Sequence, residues 1–201
     1  MHASYTPDMT MRAARALYFE ANGFGADGGY SDPWVDFKLG PVPMPFPNTA
    51  GRVAAVKFHD LHHVLTGYET NATGEFAISA WELGAGCGSF PAAWVLNSGG
   101  LASGLVAAPR KIFAAYVRGR RSRTLYGETF EPLLDENVGD MRARFIGKES
   151  RATARDAAAF AHSAMTGIVV GLAFAAVALP LVPVGLVATW MRRRQALRTA
   201  T

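Results

Sequence analysis

Residues 59–75 read His59-Asp60-Leu61-His62-His63-Val64-Leu65-Thr66-Gly67-Tyr68-Glu69-Thr70-Asn71-Ala72-Thr73-Gly74-Glu75. On a helix, His59 and His63 stand four residues apart and project from one face, one turn above the other. Asp60 lies at the edge of that face. Thr66-Gly67 ends the helix, a short polar loop follows, and Glu75 opens the next helical segment. Imidazoles and carboxylates converging across such a hairpin form a divalent-metal site with mixed nitrogen and oxygen ligands. A histidine pair at this spacing also occurs for purely structural reasons, so Asp60 and Glu75 carry the argument.

Working outward, Thr49 or Asn48 suits the N-cap of this helix, which runs to about Thr66. A second helix spans about Thr73–Leu83. Its polar stripe carries Glu75 and, two turns on, Glu82, placed either to orient a ligand histidine from behind or to face solvent. Upstream, Met11, Ala14, Leu17, Tyr18 and Ala21 recur at helical spacing. Gly23 to Gly28 matches GxGxxG by letter, but it follows a helix rather than a strand and reads as a loop. Pro33, Pro41, Pro43, Pro45 and Pro47 exclude helix and regular ladder, which predicts an extended lead-in. Its Val42, Met44 and Phe46 would wrap a helical core, line a pocket mouth or meet a partner. Downstream, Phe90 to about Arg123 forms helices interrupted near Gly99-Gly100, with a new helix from Pro109. A short helix within residues 133–147 closes the domain near residue 148. The fold class expected is all-α.

Charge is unevenly spread. Before residue 110 there are five Lys/Arg and nine Asp/Glu, whereas Arg110 to Arg123 holds six basic residues and no acid. Within that strip Arg110, Lys111 and Arg118 alternate with Ile112, Phe113 and Val117, a pattern suited to a lipid interface, an anionic head group or a plain solvated face. The run Arg118-Gly119-Arg120-Arg121 has no nucleic-acid motif beside it, so no nucleic-acid partner is expected. Cys87 is the only cysteine, which excludes an intrachain disulfide and reads as a packing thiol. The opening residues lack the basic-then-apolar pattern of a secretory signal.

From Ala157 to Met191 there is no Asp, Glu, Lys or Arg. Residues 165–191 are apolar enough to enter a bilayer, after a basic amphipathic linker helix at 149–164 and before a basic tail at 192–201. Both flanks are basic, and Pro180 and Pro183 interrupt the run. A single span and a re-entrant hairpin both satisfy these facts, with the cytoplasmic side favoured for the globular domain.

HDxxH followed by eleven residues and Glu resembles the signature of the COQ-four family of ubiquinone (coenzyme Q) biosynthesis proteins, as do the flanking His62, Thr66-Gly67 and Gly74-Glu75. The resemblance spans about residues 10–147 and is most specific over 58–83. It implies an all-helical domain on the cytoplasmic or matrix face of a membrane, a divalent metal (usually zinc), and an apolar tunnel for a polyprenyl chain. It also implies oxidative decarboxylation at ring carbon C1 of a prenylated 4-hydroxybenzoate. His59, Asp60, His63 and Glu75 match the family's metal positions. Glu75 and Asp60 are the candidates for base or orienting roles. The apolar tail departs from the family, whose better-known members attach peripherally.

Iron, manganese or cobalt would also suit such ligands. Iron bound by two histidines and a carboxylate would resemble an oxygen-activating triad, whereas zinc would leave oxidation to the substrate. Two other readings stand beside catalysis. One is a non-catalytic lipid-binding scaffold for other quinone-biosynthesis enzymes. The other is a membrane-tethered metal hydrolase, against which Asp60 occupies the place where HExxH carries its general base.

Overall fold

A computed structural model describes residues 5–35, 38–39, 42–43, 45–148 and 150–199. The described chain is all-α apart from two minimal strand pairs. Its N-terminal helices begin and end where local chemistry dictates. Helix α1 (Met11–Asn22) starts with the Thr10 hydroxyl accepting the Ala13 N–H and stops at Gly23, whose φ of 67° suits glycine. Helix α2 (Ala50–Thr66) is capped likewise by Thr49 and ends at Gly67, φ 75°. The Asn71 side chain caps α3 (Ala72–Ala85). Proline opens both α4 (Pro91–Ala107) and α5 (Pro109–Gly119), where its missing N–H costs nothing. The short closing helix expected within residues 133–147 is α7 (Val138–Phe145), preceded by one turn of helix, α6 (Phe130–Leu133).

Two expectations need correction. Helix α4 runs through Gly99-Gly100 without a break. A Cβ on Gly100 would stand 2.2 Å from Ser79 Oγ of α3, so this glycine admits a neighbour rather than ending the helix. The proline-rich lead-in does form ladders, though only of two residues. Strand β1 (Trp34–Val35) pairs antiparallel with β4 (Phe46–Pro47), and β2 (Lys38–Leu39) with β3 (Val42–Pro43). Short antiparallel pairs tolerate proline at positions whose N–H faces away from the partner. Pro41 and Met44 lie outside the described residues. The expected linker helix at 149–164 corresponds to the start of α8 at Ala154, and its approach is tied to the domain. Gly147 donates its N–H to Ser122 Oγ at 3.0 Å, and Asp156 receives Arg120 at 2.9 Å and Arg121 at 2.6 Å.

Helix α3 is the centre of the domain, flanked by α4 and α5. Glycine allows its contact with α5 in both directions. A Cβ on Gly119 would lie 2.1 Å from the Trp81 carbonyl oxygen, and one on Gly84 2.3 Å from that of Tyr116. Gly119→Ala must therefore force the helices apart. A loss of about 1–3 kcal/mol is expected, read as a lower urea midpoint at unchanged m-value. Trp81, Leu61, Ile78 and Leu101 are fully buried within this packing.

Helix α8 (Ala154–Ala178) opens with Thr153 and Asp156 in a capping box. A 3₁₀ turn at Leu179–Leu181 joins it to α9 (Val182–Thr199). Residues Ala154–Ala188 are together long and apolar enough to cross a membrane. Helices α8 and α9 each pack on the turn between them rather than along one another, as the arms of a hairpin would.

Candidate metal centre

Position on α2 decides what each histidine meets. Glycine at residue 67 turns the chain back, so the first turn of α3 faces the last turns of α2. There the ligand atoms of His59, His63 and Glu75 all lie within 4.8 Å of one another, and this cluster could hold a metal ion. Glu75 Oε2 is 3.5 Å from His59 Nε2, and Glu75 Oε1 is 3.4 Å from His63 Nε2. The two Nε2 atoms are 3.2 Å apart.

Hydrogen bonds behind the rings settle which nitrogens face inward with lone pairs. His63 Nδ1 is 2.8 Å from the Tyr68 carbonyl oxygen, which can only accept, so Nδ1 carries the proton. His59 Nδ1 lies 2.9 Å from Glu82 Oε1 and donates to that carboxylate. With Nδ1 the donor in each ring, the neutral imidazoles turn their Nε2 lone pairs toward each other and toward Glu75. Like poles at that distance call for a cation between them, either a shared proton or a metal ion. Burial opposes charge on His59, but Glu82 and Glu75 outweigh it and hold its pKa well above the ordinary value.

Glu82 is fully buried. Oε1 accepts from His59 and from His62 Nδ1 at 2.7 Å; Oε2 accepts from Tyr126 Oη at 2.7 Å and Asn97 Nδ2 at 2.5 Å. His62 Nε2 in turn accepts the Leu125 N–H at 2.8 Å, which makes His62 a neutral imidazole with its proton on Nδ1. Burial lowers the His62 pKa to match. Burial would raise the Glu82 pKa, yet His59 and His62 keep it well below the carboxylate range. A buried carboxylate with four donors stays ionised, and it needs positive charge nearby.

The other candidates are placed differently. Glu82 is the orienting residue behind His59 and not a solvated surface acid. Asp60 is buried, accepts from Tyr30 Oη at 2.5 Å, and stands outside the three-residue cluster. Burial lifts its pKa to about 6 against the opposing pull of Tyr30 and the histidines. Arg118 donates to the Thr66 carbonyl at 3.0 Å and lies over the Tyr68 ring, while Arg142 reaches the Val64 and Leu65 carbonyls. These arginines satisfy the open C-terminal end of α2. Lys111 and Arg118 line an open groove of about 1100 Å³ between α5 and residues 67–77. Arg110 is exposed and outside that groove.

No family model, curated protein or solved structure matches this chain. The site must therefore be judged on its own geometry.

Sequence reasoning missed His62, Asn97, Tyr126, Tyr30 and Tyr18. The Tyr18 ring stacks on His63 at 5.4 Å. His62 had one available signal, since it shares the HDLHH segment and falls on the inward side of α2. The others come from distant segments, and nothing local marks them.

Proposed function

We propose that the protein is a membrane-associated, metal-dependent enzyme of ubiquinone or related prenylquinone biosynthesis, acting on a polyprenylated aromatic acid. The observation that supports it most is the pair of inward lone pairs on His59 and His63 beside Glu75, backed by the ionised, buried Glu82. Two carboxylates, Glu75 and Glu82, are balanced by one divalent ion. Two imidazoles and one carboxylate leave coordination positions open, which suits zinc first and also iron, manganese or cobalt.

When bound, the metal supplies Lewis acidity toward a substrate carboxylate or phenolate. His59 and His63 hold it, and Glu82 and the Tyr68 carbonyl fix the two ring orientations. Glu75, partly exposed, is the ligand best placed to exchange with substrate or take a proton. Asp60, hydrogen-bonded to Tyr30, orients that wall of the site. The reaction class inferred is oxidative decarboxylation at ring carbon C1: the carboxylate leaves as carbon dioxide, a C1–O bond forms with oxygen from water, and the two electrons pass to dioxygen as external oxidant, giving hydrogen peroxide. Arg110 and Lys111, both exposed, would meet membrane lipid on the cytoplasmic or matrix-equivalent face, whereas Arg118 is held by the end of α2. Support for the quinone assignment is the HDxxH-x11-E pattern together with this geometry.

Deleting the gene in its host and profiling quinone intermediates by mass spectrometry tests the reading. A prenylated ring-carboxylic acid is expected to accumulate, and wild type but not His59→Ala should clear it. Rescue by both would favour the lipid-binding scaffold that organises other quinone enzymes.

Metal uptake should also depend on pH with a definite sign. The raised pKa of His59 means that the metal-free site holds a proton the metal must displace. Affinity is expected to climb with pH, by up to about tenfold per unit for one displaced proton, and to level off above the His59 pKa. Competition against a chromophoric chelator between about pH 6 and 8 measures this.

A further inference from the structure

Helix α8 turns one face to the domain and leaves an apolar face uncovered. Toward the domain it turns Phe160, Ser163, Ala164, Gly167 and Gly171. The Phe160 ring meets Phe113 and Tyr116 at 5.1 and 5.3 Å, and Ser163 Oγ is 2.9 Å from Tyr116 Oη. A Cβ on Gly167 would stand 2.8 Å from the Ser98 carbonyl oxygen, and one on Gly171 3.6 Å from Gly99 Cα. The opposite face presents Met165, Ile168, Val169 and Leu172, which are 43–68% exposed.

Helix α9 repeats the pattern. Gly185 is buried, and its Cβ would lie 2.8 Å from Pro45 Cγ and 3.0 Å from the Trp34 ring. Val184, Val187, Trp190 and Met191 are each about half exposed. The tail is thus seated on the domain twice, on α4 at Gly167 and on the β1–β4 pair at Gly185. About 27 Å of helix separates those seats at 1.5 Å per residue, close to the ~30 Å of a hydrocarbon core. A spanning tail would have to open one seat or draw the strand pair into lipid, where exposed backbone is costly.

Charge agrees with a tail lying flat. Lys148, Arg151 and Arg155 precede it, and Arg192, Arg193 and Arg194 follow. The Arg194 guanidinium stands 4.0 Å from the Trp190 ring centroid, a pairing suited to head-group level. Helix α5 crosses α8, with Phe113 and Tyr116 on Phe160 and, beyond its end, Arg121 on Asp156. Arg110 and Lys111 at the start of α5 and Val106 at the end of α4 are also exposed.

We propose that α8 and α9 form an in-plane membrane-binding surface, held flat against the domain at both ends, that docks on an anionic phospholipid bilayer with both basic flanks on one side. The proposal rests on the membrane reading above and is independent of the metal.

Two measurements test it on the full chain. Arg151→Cys and Thr199→Cys, expressed singly in bacterial spheroplasts, are treated with a membrane-impermeant maleimide; Cys87 is buried and stays silent. Both sites are expected to stay unlabelled until lysis and then to react alike. Labelling of either one before lysis overturns the proposal. In sedimentation with phosphatidylcholine vesicles holding about 30% phosphatidylglycerol, Leu172→Glu and Val187→Glu should each cut partitioning at least tenfold with metal content unchanged. Equal partitioning of variants and wild type overturns the proposal, and failure of wild type to bind overturns the membrane reading as well.

Discussion

Replacing Glu82 by leucine is expected to cost the domain about 3–5 kcal/mol, much of its whole stability. The leucine would leave His59, His62 and Tyr126 with donors and no acceptor, and Asn97 with only the Cys87 sulfur. Each stranded donor carries its full desolvation cost, so the loss exceeds that of any single hydrogen bond. Glu82→Gln separates stability from function. The amide keeps one acceptor oxygen but replaces the other with a donor, which confronts donors already present. Stability should fall less than in the leucine variant. Metal affinity should still drop about 10–100-fold, because His59 loses the anion that fixes its tautomer and strengthens its donation. Urea denaturation and chelator competition on the same two proteins measure both. Full metal affinity in Glu82→Gln would show that the carboxylate does not orient the site.

The second large effect concerns the ligands. Purified wild type should carry close to one divalent ion per chain by inductively coupled plasma analysis, and His63→Ala should carry almost none. His63 is nearly fully buried, stacked under Tyr18 and tied to the Tyr68 carbonyl. Truncation therefore also opens a cavity, and lost metal alone could reflect local collapse. His63→Gln keeps most of the volume and can still donate to Tyr68. It should preserve the circular dichroism spectrum while losing metal. Equal metal in wild type and both variants would defeat the centre.

Much of the fold was legible because its signals are local. Thr49 and Gly67 cap α2 by chemistry confined to a few residues, and the HDLHH spacing fixes which rings share a face. What was misread depends on neighbours. Gly99-Gly100 looks like a break until Ser79 and Gly171 are seen against it. Arg118 looks like a free surface cation until the Thr66 carbonyl and Tyr68 ring are found beneath it. Glu82 could be read either way, since periodicity places it on a stripe without saying what covers that stripe. Tyr126 and Asn97, brought in from residues far along the chain, left no trace near the motif.

The bond from the Leu125 amide to His62 ties the motif to a turn more than sixty residues downstream. A fragment ending before that turn would keep every letter of HDLHH and Glu75, yet leave His62 and Glu82 each short of a partner. Such a truncation should lose tight metal binding, with the ion held only as loosely as in a histidine peptide. Capture of the ion would then report that the whole helical domain has closed, making metal loading during synthesis a late event that waits for distant sequence.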